Sequence, residues 1–194
     1  MSENKSPTAE IWEAISRGDI DQTRYLFSRY PDMINSFIPF GGGTFLHLAA
    51  SRQGPDLIEA MIEIGFEVNK AGRVAGDTAL VSASSYGNYA VARYLLDHGA
   101  KMDVEAPERN PLFAAIIGSS PDIVRMLLQE GVDSNVHYTG ESMKGMDAIA
   151  FALERGEREI ATIIAEWISD GDLDKIENLI EQGMKAAQMS NSAN

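Results

Sequence analysis

Histidine is the side chain best suited to acid–base chemistry near neutral pH, and the chain contains His47, His98 and His137. A catalytic set would need one of them beside a nucleophile and a carboxylate. His98 directly precedes the helix-ending Gly99, where a cation offsets the helix dipole, so we interpret it as part of a helix cap. His137 lies beside Tyr138 in a long connection, as a candidate contact residue or an ordinary solvated one. No catalytic set is predicted.

Two further patterns have the residue types of ligand sites. The run GGGT at residues 41–44 frees backbone N–H groups for an anion, but no lysine follows in the spacing GxxxxGK(S/T), so a repeat turn is predicted. Asp170, Asp172 and Asp174 lack the glycine and the terminal glutamate of a calcium loop, which indicates a solvated acidic face. We therefore expect no cofactor, no bound metal and no enzymatic activity.

The composition narrows the range of partners. The 194 residues are 44% hydrophobic, enough for a real core, and 29 acidic residues against 16 basic ones give a net charge of −13. This charge argues against nucleic acids and anionic membranes as partners. The sequence contains no cysteine, no signal-like start and no apolar run of about 18 residues. These features predict a soluble protein of the cytoplasm.

The elements that must position any site belong to an internal repeat. Matching segments begin at Thr44, Thr78, Asn110 and Asp147, with spacings of 34, 32 and 37 residues. A degenerate copy begins 35 residues before the first of these, at Ala9. The chain therefore contains five repeats.

Each repeat has the pattern of two antiparallel helices. Small residues such as Ala49 and Ala83 indicate a short first helix that allows neighbouring repeats to approach closely. A polar turn, as at Gly87, ends this helix, and a second helix follows with apolar residues at helical spacing, as at Leu57 and Met61. A further glycine closes the second helix, and a loop like a hairpin returns the chain.

On these residues the chain resembles the ankyrin repeat proteins. The best matches are TFLHLAA at residues 44–50 and LLDHGAKMD at residues 95–103, supported by the turn glycines Gly42, Gly76 and Gly145. The resemblance implies an all-α ankyrin-repeat solenoid of about five helix-turn-helix units with β-hairpin fingers and a C-terminal capping helix.

The match to the family pattern has departures. Phe45 stands where the family usually has proline, which is retained only at Pro111. Only one repeat keeps the motif histidine, His47, and the resemblance implies that this side chain braces adjacent loops rather than catalyses a reaction.

The repeat boundaries predict the domain organisation. We expect a disordered N-terminus at residues 1–8, repeats near 9–43, 44–77, 78–109, 110–146 and 147–183, and a disordered tail at residues 184–194. The segment GDLDKIENLIEQG at residues 171–183 is either a capping helix or a compressed sixth repeat. Terminal repeats need one polar face, which favours the cap.

The resemblance also implies where a partner binds, because the family commonly uses a concave face built from the fingers and the first helices. Two connections of irregular length, around residues 36–43 and 136–146, extend this set. Packing of finger against helix, or loop slack, is the competing explanation for its apolar members. The candidate contact residues are Phe37, Ile38, Phe40, Arg52, Val74, Asp77, Ser85, Tyr86, Arg109, Ile117, His137, Tyr138, Met143, Lys144, Glu154 and Arg155.

The function expected from these observations is non-catalytic protein binding. One binding surface in a small chain more naturally blocks or sequesters a partner than bridges two. The chain is also similar in size to small free-standing ankyrin proteins of bacteria, and because some of these act as inhibitors or immunity proteins, the resemblance implies such a role. The net charge of −13 suits a basic target. The alternatives are an adaptor that joins two proteins, and a small-ligand sensor or an enzyme.

Overall fold

The computed structural model describes residues 5–39, 41–139, 143 and 145–191. Within these residues the regular structure is helical, and the chain divides into two compact units, Met1–Lys101 and Met102–Asn194. We call them the N-terminal and C-terminal units.

The N-terminal unit consists of three helix pairs. The first helices pack side by side, α1 on α3 and α3 on α5, and the second helices form a matching row, α2 on α4 and α4 on α6. Phe27 joins the rows, because its ring meets those of Phe45 and Phe66 edge to face at 5.7 and 4.9 Å. The helices are α1 (Pro7–Ser16), α2 (Ile20–Arg29), α3 (Phe45–Arg52), α4 (Pro55–Ile64), α5 (Ala79–Ser85) and α6 (Tyr89–Asp97).

The start of α3 shows how the repeat motif forms its helix. The backbone N–H of Thr44 donates to Nδ1 of His47 at 3.1 Å, and the Thr44 hydroxyl caps the first turn. Because Nδ1 accepts, Nε2 carries the proton, and it donates at 3.1 Å to the carbonyl oxygen of Asp77, in the loop that leads into α5. The buried His47 is therefore the brace between adjacent loops that the resemblance implies.

Asparagine side chains connect successive repeats at the base of the fingers. Asn35 donates to the carbonyl of Gly65 at 3.1 Å and accepts from the N–H of Glu67 at 2.9 Å. Asn69 repeats the pattern one repeat later with Gly99 and Lys101, at 2.9 and 2.8 Å. Each amide satisfies two backbone groups that the end of a second helix leaves unpaired.

The fingers are shorter hairpins than expected. Each of the two whose strands meet in the structure has a single isolated antiparallel bridge, Phe37 with Thr44 and Tyr138 with Met146. In the first finger the N–H of Ile38 donates to the carbonyl of Gly43 at 2.9 Å. The described residues contain no longer strand, so these loops are held by few backbone bonds.

The C-terminal unit contains two helix pairs and a final helix. α7 packs on α8 and α9, and α10 packs on α8 and α9. Phe113 lies at the centre of this core, with its ring centroid 5.0 Å from those of Tyr138 and Phe151. The helices are α7 (Pro111–Ile117), α8 (Pro121–Gln129), α9 (Ala148–Glu154), α10 (Arg158–Ser169) and α11 (Leu173–Asn191).

The terminal segments correct two boundaries. α1 begins at Pro7, with Ser6 as its N-cap, inside the segment expected to be disordered. α11 continues past Gly183 to Asn191, through most of the tail expected to be disordered. A stripe of small residues explains the extension: Gly183, Ala187 and Ser190 are buried, and α11 packs closely against α9. A single long helix that packs on both α9 and α10 is the cap and not a sixth helix pair.

Candidate protein-binding surface

The histidines form no catalytic arrangement in the described part of the chain. His47 is committed to its helix cap and brace, and Nδ1 of His98 lies 2.8 Å from the carbonyl oxygen of Tyr94 in its own helix. His137 is exposed, and its Nε2 lies 3.6 Å from the Asp147 carboxylate, which instead caps α9. Residues 5–39, 41–139, 143 and 145–191 hold no cluster of histidine and carboxylate groups that suits a metal ion.

The first two fingers of the N-terminal unit form an exposed apolar site. The guanidinium carbon of Arg73 lies 5.8 Å from the centre of the Phe37 ring, and the Arg73 N–H donates to the carbonyl of Gly42 at 2.8 Å. Val74 is 81% exposed and Phe37 is 37% exposed. We call Phe37, Gly42, Arg73 and Val74 the finger patch.

Gly42 allows the two fingers to approach. Its φ of 75° is left-handed, and a Cβ atom there would lie 2.7 Å from the Val74 side chain. A larger residue would therefore strain the turn and push the fingers apart.

A shallow apolar groove lies on the first finger beside α1. Its volume is about 420 Å³, and its lining includes Trp12, Ile38 and Pro39. Ile38 is buried and forms part of the groove, whereas Trp12 is 40% exposed at its edge. An aromatic at the edge of an apolar groove is typical of protein-binding surfaces.

The first helices of the N-terminal unit contribute further candidate residues. Arg52 ends α3, and Tyr86 occupies the matching position after α5, 62% exposed. Ser85 is half-buried and donates to the carbonyl of Ser82 at 3.1 Å. Asp77 is half-buried beside the backbone of Gly72, so its carboxylate is partly shielded.

The candidates in the C-terminal unit are mostly occupied by contacts within that unit. Arg109 pairs with Asp103 and Glu105, both at 3.0 Å. Glu154 is half-buried and accepts from Ser190 of α11 at 3.4 Å, and the Arg155 guanidinium lies over the Phe151 ring at 5.6 Å. Among the described apolar candidates of this unit, Ile117 is 49% exposed and remains accessible to a partner.

Three expected contact residues are buried. Ile38, Tyr138 and Met143 are 7%, 8% and 6% exposed. The Tyr138 hydroxyl donates to the carbonyl of Val104 at 2.8 Å and accepts from the side-chain amide of Asn110 at 2.9 Å. Tyr138 and Met143 therefore pack their long finger onto the core, which corrects their assignment to a contact surface. Two further candidates, Phe40 and Lys144, lie outside the described residues.

Burial also affects the chemistry of Tyr138. Removal from water raises the pKa of its hydroxyl above the ordinary tyrosine value, and the hydrogen bond from Asn110 opposes this only partly. The group is a neutral structural bridge at physiological pH.

Sequence reasoning missed Arg73 and Trp12. Arg73 is adjacent to Val74 at the tip of the second finger, and a cation beside an exposed apolar residue was a usable signal. Trp12 gave a weaker signal, because its repeat is the degenerate one and the groove forms only when the first finger lies beside α1.

The exposed charges are unevenly placed in the N-terminal unit. Arg52 and Arg73 form no ion pair within the described residues. In the second helices Arg24 is paired with Glu63 and Arg93 with Asp97, whereas Arg29 contacts Tyr25 and Tyr30 instead of a carboxylate. Arg52 and Arg73 therefore place uncompensated positive charge on a first helix and on the second finger of a strongly acidic chain.

Successive helix pairs, joined by glycine turns and braced at their fingers, define the class of helical-repeat proteins. Comparison with known families makes this specific: the family described as ankyrin repeats, in three copies, matches residues 11–106, and a single ankyrin repeat matches residues 108–139. The chain belongs to the ankyrin repeat family. Ankyrin repeats are generally non-catalytic modules that bind other proteins.

Known relatives agree with this assignment. The chain is 27% identical over 157 residues to an ankyrin repeat protein of fowlpox virus, a match that covers 80% of this chain and 46% of the viral protein. It is 31% identical over 102 residues to one of Rickettsia felis, covering 51% and 45% of the two chains. It is 29% identical over 121 residues to the rat ankyrin repeat and SAM domain-containing protein 6, covering 61% and 14%. The chain spans less than half the length of each of these relatives.

No helix in the described part of the chain is both long enough and apolar enough to cross a membrane.

Proposed function

We propose that the chain binds a partner protein through the finger patch, the neighbouring groove and the exposed ends of α3 and α5, and that it inhibits or sequesters this partner. The observation that carries the proposal is the finger patch. An exposed Phe37, an exposed Val74 and the arginine beside them are held together by a backbone bond between two fingers. Aromatic residues and arginine are enriched at the centres of protein interfaces.

The inhibitory part of the proposal rests on the number of binding faces that each mode of action needs. A non-catalytic module changes its partner by occupying a surface, and blocking needs one binding face whereas bridging needs two. The proposal is that this occupancy covers a functional site of the partner.

The test compares substitutions at two aliphatic residues that are equally exposed. Val74 and Leu173 are 81% and 79% exposed, but Val74 belongs to the finger patch and Leu173 begins α11. The full chain, its Val74→Asp variant and its Leu173→Asp variant are immobilised and exposed to extract of the native cell. A partner retained by the wild type and by Leu173→Asp, and lost with Val74→Asp, supports binding at the patch.

The captured partner is then purified and its activity is measured while the chain is added. A fall in activity with wild-type chain, and none with Val74→Asp, supports inhibition. Specific binding without a change in activity would contradict inhibition and favour an adaptor. Equal capture by all three chains would contradict the proposed surface.

A further inference from the structure

The guanidinium of Arg73 is held in position by neighbouring groups but has no hydrogen-bonding side-chain partner in the described residues. Its backbone is fixed to Gly42 and its side chain lies against the Phe37 ring, yet it forms no ion pair or hydrogen bond with another side chain in the described ranges. The guanidinium carbon lies 5.8 Å from the ring centre, within the range of a cation–π contact, and no other side chain of the described residues occupies its N–H groups, which can take a carboxylate with two parallel bonds. Positioning reduces the entropy lost when such a ligand binds.

The charge around Arg73 is opposite to that of the whole chain. The chain carries −13, but the first finger, residues 36–44, has no charged residue. The second finger, residues 70–77, has Lys70, Arg73 and Asp77, and Lys70 is 3.7 Å from Glu67. With Asp77 partly shielded beside Gly72, Arg73 is the accessible charge of the patch.

An apolar surface adjoins this charge. Val74 is almost fully exposed and the Phe37 ring is more than one-third exposed, so a ligand that binds the arginine edge also meets apolar side chains. A bare anion would leave this surface in water, whereas a peptide segment with an acidic residue next to an apolar one would cover both.

From these contacts we infer that the finger patch binds an acidic segment of the partner protein, in which an aspartate or glutamate stands next to an aromatic or aliphatic residue. The carboxylate accepts from the Arg73 guanidinium, and the apolar side chain packs on Val74 and Phe37. This inference rests on the proposed function and specifies its ligand. It replaces the basic target that the net charge suggested, because contact chemistry is set by local charge and net charge acts on the rate of encounter.

The inference is tested with random twelve-residue peptides displayed on phage and selected against the full chain. Selected peptides are synthesised, and their affinities are measured by fluorescence anisotropy at two salt concentrations. We expect enrichment of acidic residues next to phenylalanine, tryptophan or leucine, with binding that weakens as salt rises.

Substitutions of Arg73 test whether this residue binds the carboxylate of the peptide. Arg73→Glu is expected to weaken the selected peptides about tenfold or more, and Arg73→Lys to weaken them less, since lysine keeps the charge and loses the planar fork. The matched control is Arg158→Glu, because Arg158 is also exposed and has no ion pair in the described part of the chain. This control should leave the affinity unchanged, and circular dichroism should show the same helicity for all variants.

The outcomes separate this inference from the proposed function. Peptides that are neutral or basic, or that bind Arg73→Glu as well as wild type, overturn the acidic ligand; if Val74→Asp still abolishes their binding, the proposed surface stands. If the peptides bind Arg73→Glu and Val74→Asp with the same affinity as the wild type, the proposed surface is overturned as well. Failure to enrich any peptide overturns the inference, which requires a short linear ligand.

Discussion

At the scale of single residues, His47 and Tyr138 both have structural roles, but only the role of His47 can be predicted from neighbouring residues in the sequence. The part played by His47 follows from its motif, since Thr44 and His47 stand at the helix start where each caps the other. That of Tyr138 depends on Val104 and Asn110, which lie 34 and 28 residues away in the chain. Local spacing therefore identified the first and misassigned the second.

Replacement of His47 by alanine should destabilise the protein by about 2 kcal/mol, because it removes a helix cap and the bond to the Asp77 loop. Urea unfolding monitored by circular dichroism measures this change. His98→Ala is the control, since His98 is exposed and bonds only to its own helix, and about 0.5 kcal/mol or less is expected. Equal losses in the two variants would contradict the role of His47 as a brace.

Replacement of Tyr138 by phenylalanine should cost about 1 to 2 kcal/mol, because the Val104 carbonyl and the Asn110 amide each lose a partner. Tyr86→Phe is the matched control, since the Tyr86 side chain is 62% exposed, and it should have no measurable effect. The same unfolding experiment compares the two. A neutral Tyr138→Phe would show that water replaces the bridge.

The stability at high pH follows from the raised pKa of Tyr138. Since the folded pKa lies above the unfolded one, the unfolded chain releases its proton first as pH rises past about 10, and stability falls from there upward. In Tyr138→Phe this fall should be smaller. Some loss should remain, because burial, with Glu59 and Glu63 nearby, also raises the pKa of Tyr94. A fall of unchanged size in Tyr138→Phe would contradict the assignment.

At the scale of elements, the helices and the fingers differ in how closely the sequence specifies them. The second helix of the last repeat, α10 at Arg158–Ser169, is specified locally, because apolar residues at helical spacing define it. The end of α11 was misplaced because a glycine followed by a polar segment suggests a helix stop. Only contact with α9 shows that Gly183 is instead a point of close approach.

The substitution Gly183→Leu should detach α11 from α9. A Cβ atom at this position would lie 2.8 Å from Ile149 and 3.0 Å from Leu153, so a leucine side chain has no space. Hydrogen exchange should show lost protection across α11 and no change in α3 and α4. Gln182→Leu, at an exposed neighbouring position, should preserve protection. Intact protection in Gly183→Leu would mean that α11 does not depend on this close contact.

At the scale of the whole molecule, the repeats establish the family, and the net charge predicts that polyanions are poor partners. Ankyrin repeat matches run from residue 11 to 139, and the helix pairs continue beyond them through α9 and α10. The net charge of −13 belongs to the chain as a whole, whereas Arg73 belongs to one patch. Specific binding to an acidic peptide and repulsion of a polyanion are therefore compatible.

A duplex DNA of random sequence should not bind this chain at low salt, where phosphate attraction is strongest. Gel retardation with the chain at up to about 10 µM, a range in which basic proteins bind DNA non-specifically, should show only free DNA. A shifted band would contradict the exclusion of nucleic acid by net charge.

The sequence by itself determined the number of repeats, the helix pairs and the place of the fingers, because these depend on periodic apolar residues and on glycines within one repeat. Tertiary structure decided which finger residues stay exposed. The hydrogen bond from Tyr138 to Val104 and the approach of Arg73 to Phe37 join residues from different repeats, and the docking of α11 on α9 adds the cap to the last helix pair. Such contacts depend on how neighbouring elements pack, and no spacing within one helix pair specifies them.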